Sequence, residues 1–206
     1  MPRLSFGTFV WRVVASHLIT YFAFGLIAST LFDYRRLYAE TDLRHLMRGT
    51  DTAWVAAGPS LQFVRGAVFA VVLWPIADRI VRAPHGALML YGLMLGLAVF
   101  GTAGPSPGSL EGLLYTTLPV RIHLLGLPEV IAQTGAFSLL LVAWHRKPAR
   151  WMDVAALIGI VLIALMSAAG VLAALGVLRA PRTDASIIFG AECSRARRAL
   201  DTRRPS

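Results

Sequence analysis

The sequence predicts an all-α, polytopic integral membrane protein: five transmembrane helices in one bundle, with a short interfacial amphipathic helix after the first span. Three observations carry this. The mean hydropathy is +0.63, and 56% of residues are hydrophobic while only 15% are charged, against roughly 25% charged in a typical soluble domain. Several apolar runs reach the about 20 residues a helix needs to cross a bilayer core. The arginines gather in the connections and the tail, where membrane proteins place them.

The net charge of +9 does not make this a nucleic-acid binder. No basic helix with interleaved aromatics, zinc pattern or helix-turn-helix accompanies it. Cys193 is the single cysteine, so neither an intrachain disulfide nor a cysteine-based metal site is available. Lysine occurs once, at Lys147, and the Arg- and Ala-rich composition reads as a bias of the genome.

The first span is expected over 10–32, too long for the core of a cleaved signal peptide and ended by Asp33-Tyr34-Arg35-Arg36. Arg12 near its start is expected to snorkel to the interface. His17 and Tyr21 lie one helical step apart, and His17 reads as a buried, hydrogen-bonded histidine. Residues 34–47 space Leu37, Tyr38, Leu43, Leu46 and Met47 along one face among charges, the pattern of an interfacial helix. Gly58-Pro59-Ser60 reads as a turn that starts the second span, 61–80. Pro75 should kink that span.

A tight turn at Ala83-Pro84-His85-Gly86 joins it to a third span over 87–104, uncharged, with Gly92 and Gly96 in a GxxxG pattern. The segment 104–120 is too hydrophobic for an ordinary solvated loop, and is either half-inserted or an interfacial turn. The fourth span, 121–145, holds His123, Glu129 and Gln133. The fifth, 154–178, is uniformly apolar and rich in small residues, including Gly170 and Ala174. One transmembrane domain is therefore expected over 1–180, followed by a disordered basic tail over 181–206.

The candidate site follows from depth at 1.5 Å per residue. Arg65 should lie about 6 Å below one surface and Glu129 about 10 Å below the same surface. Glu129 and Gln133 share a face, as do Gln62 and Arg65. The expected site is a polar pocket with an Arg65–Glu129 ion pair at its base, near Gln133, His123 and Gln62, either binding a substrate or fixing helix register. Ionised groups at membrane depth cost roughly 2.5 kcal/mol or more, which makes them pair.

No metal site, cofactor or catalytic residue is predicted. The histidines are dispersed, no HExxH occurs, and His123 and Glu129 are six apart, on different helical faces. A bis-histidine haem would need His17 with His85 or His145. The leading expectation is a small-solute or ion transporter or permease component. The alternatives are an accessory subunit docking through Gly92, Gly96, Gly170 and Ala174, and a membrane enzyme acting on a lipid or quinone-like substrate. Expected partners are the lipid bilayer, a second copy or a larger complex. The expected location is a bacterial inner membrane. The two short basic hairpins, Arg79/Arg82 and Arg146/Lys147/Arg150, favour a cytoplasmic N-terminus, while Arg35/Arg36 and the basic tail favour the reverse; the short hairpins carry more weight.

Overall fold

The structure, a computed structural model, describes residues 4–101 and 106–178. The expected tail, 181–206, with Cys193, lies outside them. The described residues form helices joined by turns and short connections, without a strand. The long helix α1, Phe6–Leu31, is followed by the short α2, Tyr34–Glu40, and a 3-10 turn, Asp42–His45. Next come α3, Ala53–Leu73, a 3-10 turn at Trp74–Ile76 and α4, Ala77–Arg82. Then follow α5, Gly86–Phe100, α6, Leu110–Tyr115, α7, Val120–Arg146, and α8, Arg150–Ala174. Four stretches are long and apolar enough to cross a membrane: Phe6–Leu31, Ala53–Arg82, Val120–Arg146 and Arg150–Ala174.

Helix α1 is the axis. It packs against α3, α7 and α8, while α5 lies on α7 and α8 on α3. One core joins Phe9 and Val13 of α1 to Ala70 and Leu73 of α3, Leu90 of α5, and Phe137, Leu141 and Val142 of α7. A second joins Ala15 and Leu18 to Trp144, Ala156 and Ile160. Arg12, expected to snorkel outward, is instead 8% exposed. Its guanidinium donates to the Trp144 carbonyl at 3.3 Å and lies 5.6 Å from the Trp144 ring.

The two ends of the bundle are fixed by specific contacts. At the end where α1 begins, Arg146 donates to the carbonyls of Val81 at 3.1 Å and of Ala83. These lie at the C-terminal end of α4, whose last carbonyls have no intrahelical partner. The Trp11 indole donates to Asp153 at 3.1 Å, tying α8 to the same end. At the opposite end, Leu43 packs with Leu118 and Ile122 at the start of α7. Helix α5 therefore carries the chain from the first end back to the second. At 15 residues it is about 22 Å long, shorter than the expected third span because the helix stops at Gly101.

The second span begins eight residues earlier than the turn signal at Gly58-Pro59-Ser60 indicates, since all three residues lie inside α3. Proline removes one backbone donor, and a neighbouring helix can re-satisfy loosened carbonyls. Here Ser167 of α8 donates to Ala56 O at 2.6 Å, in the turn before Pro59. Pro75 falls in the 3-10 turn, where the helix is interrupted as expected. The interfacial helix is also broken in two, because Thr41 is extended (φ −110°, ψ 179°) between α2 and the 3-10 turn.

Candidate functional site

The expected Arg65–Glu129 ion pair is not formed. Among the described residues the salt bridges are Arg36–Glu40 and Asp78–Arg82. The reason is register. Because α3 starts at Ala53, Arg65 sits more than three turns into its helix, deeper than the sequence suggested. Its neighbour Gly66 lies against α1 at Val14 and His17, where an added Cβ would meet Val14 Cα at 3.1 Å. The Glu129 carboxylate lies opposite Gly25, whose added Cβ would meet Oε1 at 3.7 Å. His17 and Gly25 are about 12 Å apart along α1. Tyr21, between these levels, lies within electrostatic reach of both Glu129 and Arg65.

Glu129 has a different partner. The Tyr34 hydroxyl donates to its Oε2. Tyr34 reaches it because Asp33 takes the left-handed conformation (φ 44°, ψ 63°) and caps α2, accepting from Arg36 N. That turn folds α2 back over the end of the bundle. Tyr38 stacks on Tyr34 with ring centroids 5.2 Å apart. Burial first, and then the hydrogen bond from Tyr34 to Glu129, push the Tyr34 phenol well above its ordinary range. Sequence spacing held no signal for this contact, which joins residues 95 apart in the chain.

Arg65, Gln133 and His17 instead line one cavity of about 420 Å³, together with Val68, Phe69, Val72 and Leu73 of α3, Leu93, Met94, Leu97 and Ala98 of α5, and Val130, Thr134 and Phe137 of α7. The volume is within the usual range for a ligand site, about 300–1,000 Å³. Val68, Val72 and Leu97 at its rim are more than half exposed on the flank of the bundle, so the mouth faces sideways between α3 and α5. His17 is 3% exposed, and its Nε2 donates to Gln62 Oε1 at 3.2 Å. Thr134 spends its hydroxyl on its own helix, at Val130 O. Gln133 makes no hydrogen bond among the described residues, and the Arg65 guanidinium lies 5.8 Å from the Phe69 ring.

His123 does not join this group. It is 4% exposed and fastens the segment before α7: its Nδ1 accepts from Gly108 N at 3.2 Å. Its Nε2 therefore carries the proton and faces Thr116 Oγ1 at 3.3 Å, which in turn donates to Gly112 O at 2.7 Å. Of the small-residue faces, Gly170 is occupied within the chain, an added Cβ meeting Ala56 Cβ at 3.1 Å. Gly92 and Gly96 face open space. Among the described residues no three His, Cys, Asp or Glu side chains converge.

Fold and site together define an all-helical bundle, with four helices of membrane-spanning length, around a side-opening and largely apolar cavity. The chain matches no family model, no curated protein and no solved structure.

Proposed function

We propose that this chain is a five-span integral membrane protein, N-terminus cytoplasmic, that takes a lipid-like or quinone-like amphiphile from the bilayer into the cavity between α3 and α5. Insertion is supported by the outer surface. Leu157, Ile158, Val161, Leu162, Leu165 and Met166 of α8 are all exposed, a continuous apolar face that water does not tolerate on a soluble monomer. The fifth span would be α5, which runs between the same two ends as its neighbours. A helix shorter than the hydrocarbon thickness is accommodated by local thinning at modest cost. Arg79, Arg82, Arg146, Lys147 and Arg150 lie in or beside the two short connections at the end where α1 begins, which supports the orientation.

The observation that carries the reading is the cavity's lining. His17, Arg65, Gln133 and Thr134 are polar side chains set in walls that are otherwise apolar. A few polar groups in a largely apolar cavity suit a molecule that carries a polar head on a hydrocarbon chain. A hydrated solute or ion, the leading expectation from sequence, calls for a polar path. The walls here are apolar beyond His17, Arg65, Gln133 and Thr134. Binding rather than catalysis is proposed, because the side chains present are hydrogen-bond donors without a paired nucleophile and base. The test is native mass spectrometry of the protein released from mild detergent. One amphiphile bound per chain, lost in a cavity-filling Leu97→Trp variant, is the expected result. Release without any adduct, from wild type and variant alike, contradicts it.

A further inference from the structure

Resting on that reading, we propose that the amphiphile is a long-chain carboxylate whose head is held by Arg65 with help from Gln133. The inference begins from an unbalanced cation. No carboxylate lies within 4.0 Å of Arg65 among the described residues, where the ion pairs are Arg36–Glu40 and Asp78–Arg82. Its one aromatic contact is Phe69. A guanidinium over a phenyl ring gains modestly, while an arginine in the middle of a spanning helix costs more than that contact returns. The ring does not offset the cost. Arg65 lies more than three turns from the start of α3 and is exposed at the cavity, where an anion can reach it.

What offsets it is an anion delivered with an apolar chain. The two oxygens of a carboxylate match the fork of the guanidinium, and the unbonded Gln133 amide supplies a further donor in the same cavity. His17 is committed to Gln62 and Thr134 to Val130 O, so these two neither compete for the head nor repel it. The one carboxylate of α7 is Glu129. It lies one level nearer the α2 end, opposite Gly25, and is occupied by Tyr34. The chain of the ligand would then run past Val72 and Leu93 to Phe137. A cavity of about 420 Å³ suits a single chain rather than a two-chain phospholipid.

The experiment measures binding of oleate, methyl oleate and a single-chain lysophosphatidate to the full chain in mild detergent, for wild type, Arg65→Leu and Arg65→Lys. Oleate is expected to bind at least about tenfold more tightly than methyl oleate, the scale of one charge-assisted hydrogen bond. Arg65→Leu should remove that preference while keeping methyl oleate affinity, which also shows that the variant folds. Arg65→Lys should keep most of it. Equal binding of oleate and methyl oleate to wild type overturns the carboxylate assignment and leaves amphiphile binding standing. Lysophosphatidate binding tenfold above oleate overturns it in favour of a phosphate head. If none of the three probes binds, the carboxylate assignment falls; if native mass spectrometry also shows no bound amphiphile, the amphiphile reading falls with it.

Discussion

The Tyr34 hydroxyl donates to Glu129, and this contact joins the short helix after the first span to the middle of α7. It answers a cost that the sequence already implied, a carboxylate at depth in an apolar helix, with a phenol rather than a cation. Removing either partner leaves the other half-buried and unsatisfied. Tyr34→Phe should therefore lower stability by about 1–3 kcal/mol, read as an earlier midpoint of unfolding in detergent. Glu129→Gln should cost a similar amount, and the double variant much less than the sum of the two, since both act on one contact.

The same contact sets a pH dependence. Tyr34 is held protonated above the ordinary tyrosine value of about 10 by burial and by Glu129. A group whose pKa is raised on folding contributes stability that is complete below its unfolded value and is lost as pH rises through the folded one. The Tyr34–Glu129 contribution should therefore be intact up to about pH 10 and fade only above it. Burial and Glu129 also raise the Tyr38 phenol. Tyrosinate absorbance should show both ionising late, and earlier in Glu129→Gln. Ordinary titration of Tyr34 in the wild-type protein would contradict this.

At Gly66 α3 comes close to α1, with backbone rather than a flexible side chain as the obstacle. Gly66→Ala should force the two helices apart and cost about 1–3 kcal/mol. Gly92→Ala, facing open space, should be neutral or stabilising by up to about 1 kcal/mol, as helix propensity dictates. Thermal unfolding of the two variants side by side checks the difference. An equal loss at Gly92 would mean that a second copy or another subunit covers that face.

His123 holds the residues before α7 rather than the cavity. His123→Ala should free Gly108 N–H and Thr116, seen as faster hydrogen exchange over 106–116. Amphiphile binding should be unchanged. Loss of binding with unchanged exchange would restore His123 to the site.

The helices were legible because apolar runs of spanning length need no tertiary information. Their limits were less so. Gly58-Pro59-Ser60 carries every local signal of a turn, yet α8 supplies Ser167 to that stretch of α3, and the helix runs through it. That eight-residue error placed Arg65 too near the surface and made a pair with Glu129 look reachable. His17 was legible as a buried, hydrogen-bonded histidine, and Gln62 proves to be its partner. The Tyr34–Glu129 contact was not, because it depends on one residue, Asp33, adopting positive φ. The cavity was half legible: Arg65 and Gln133 stood out as polar groups in apolar helices, while the gap between α3 and α5 is a property of packing alone.

The side-opening cavity is tested most directly by photolabelling in vesicles with a diazirine-bearing long-chain amphiphile, followed by peptide mapping. Labels concentrated on Val68–Leu73, Leu93–Ala98 and Val130–Phe137, and competed away by excess unlabelled amphiphile, are the predicted result. Labels spread evenly over the exposed apolar faces, with the outer side of α8 marked as strongly as the cavity and no competition, would contradict it.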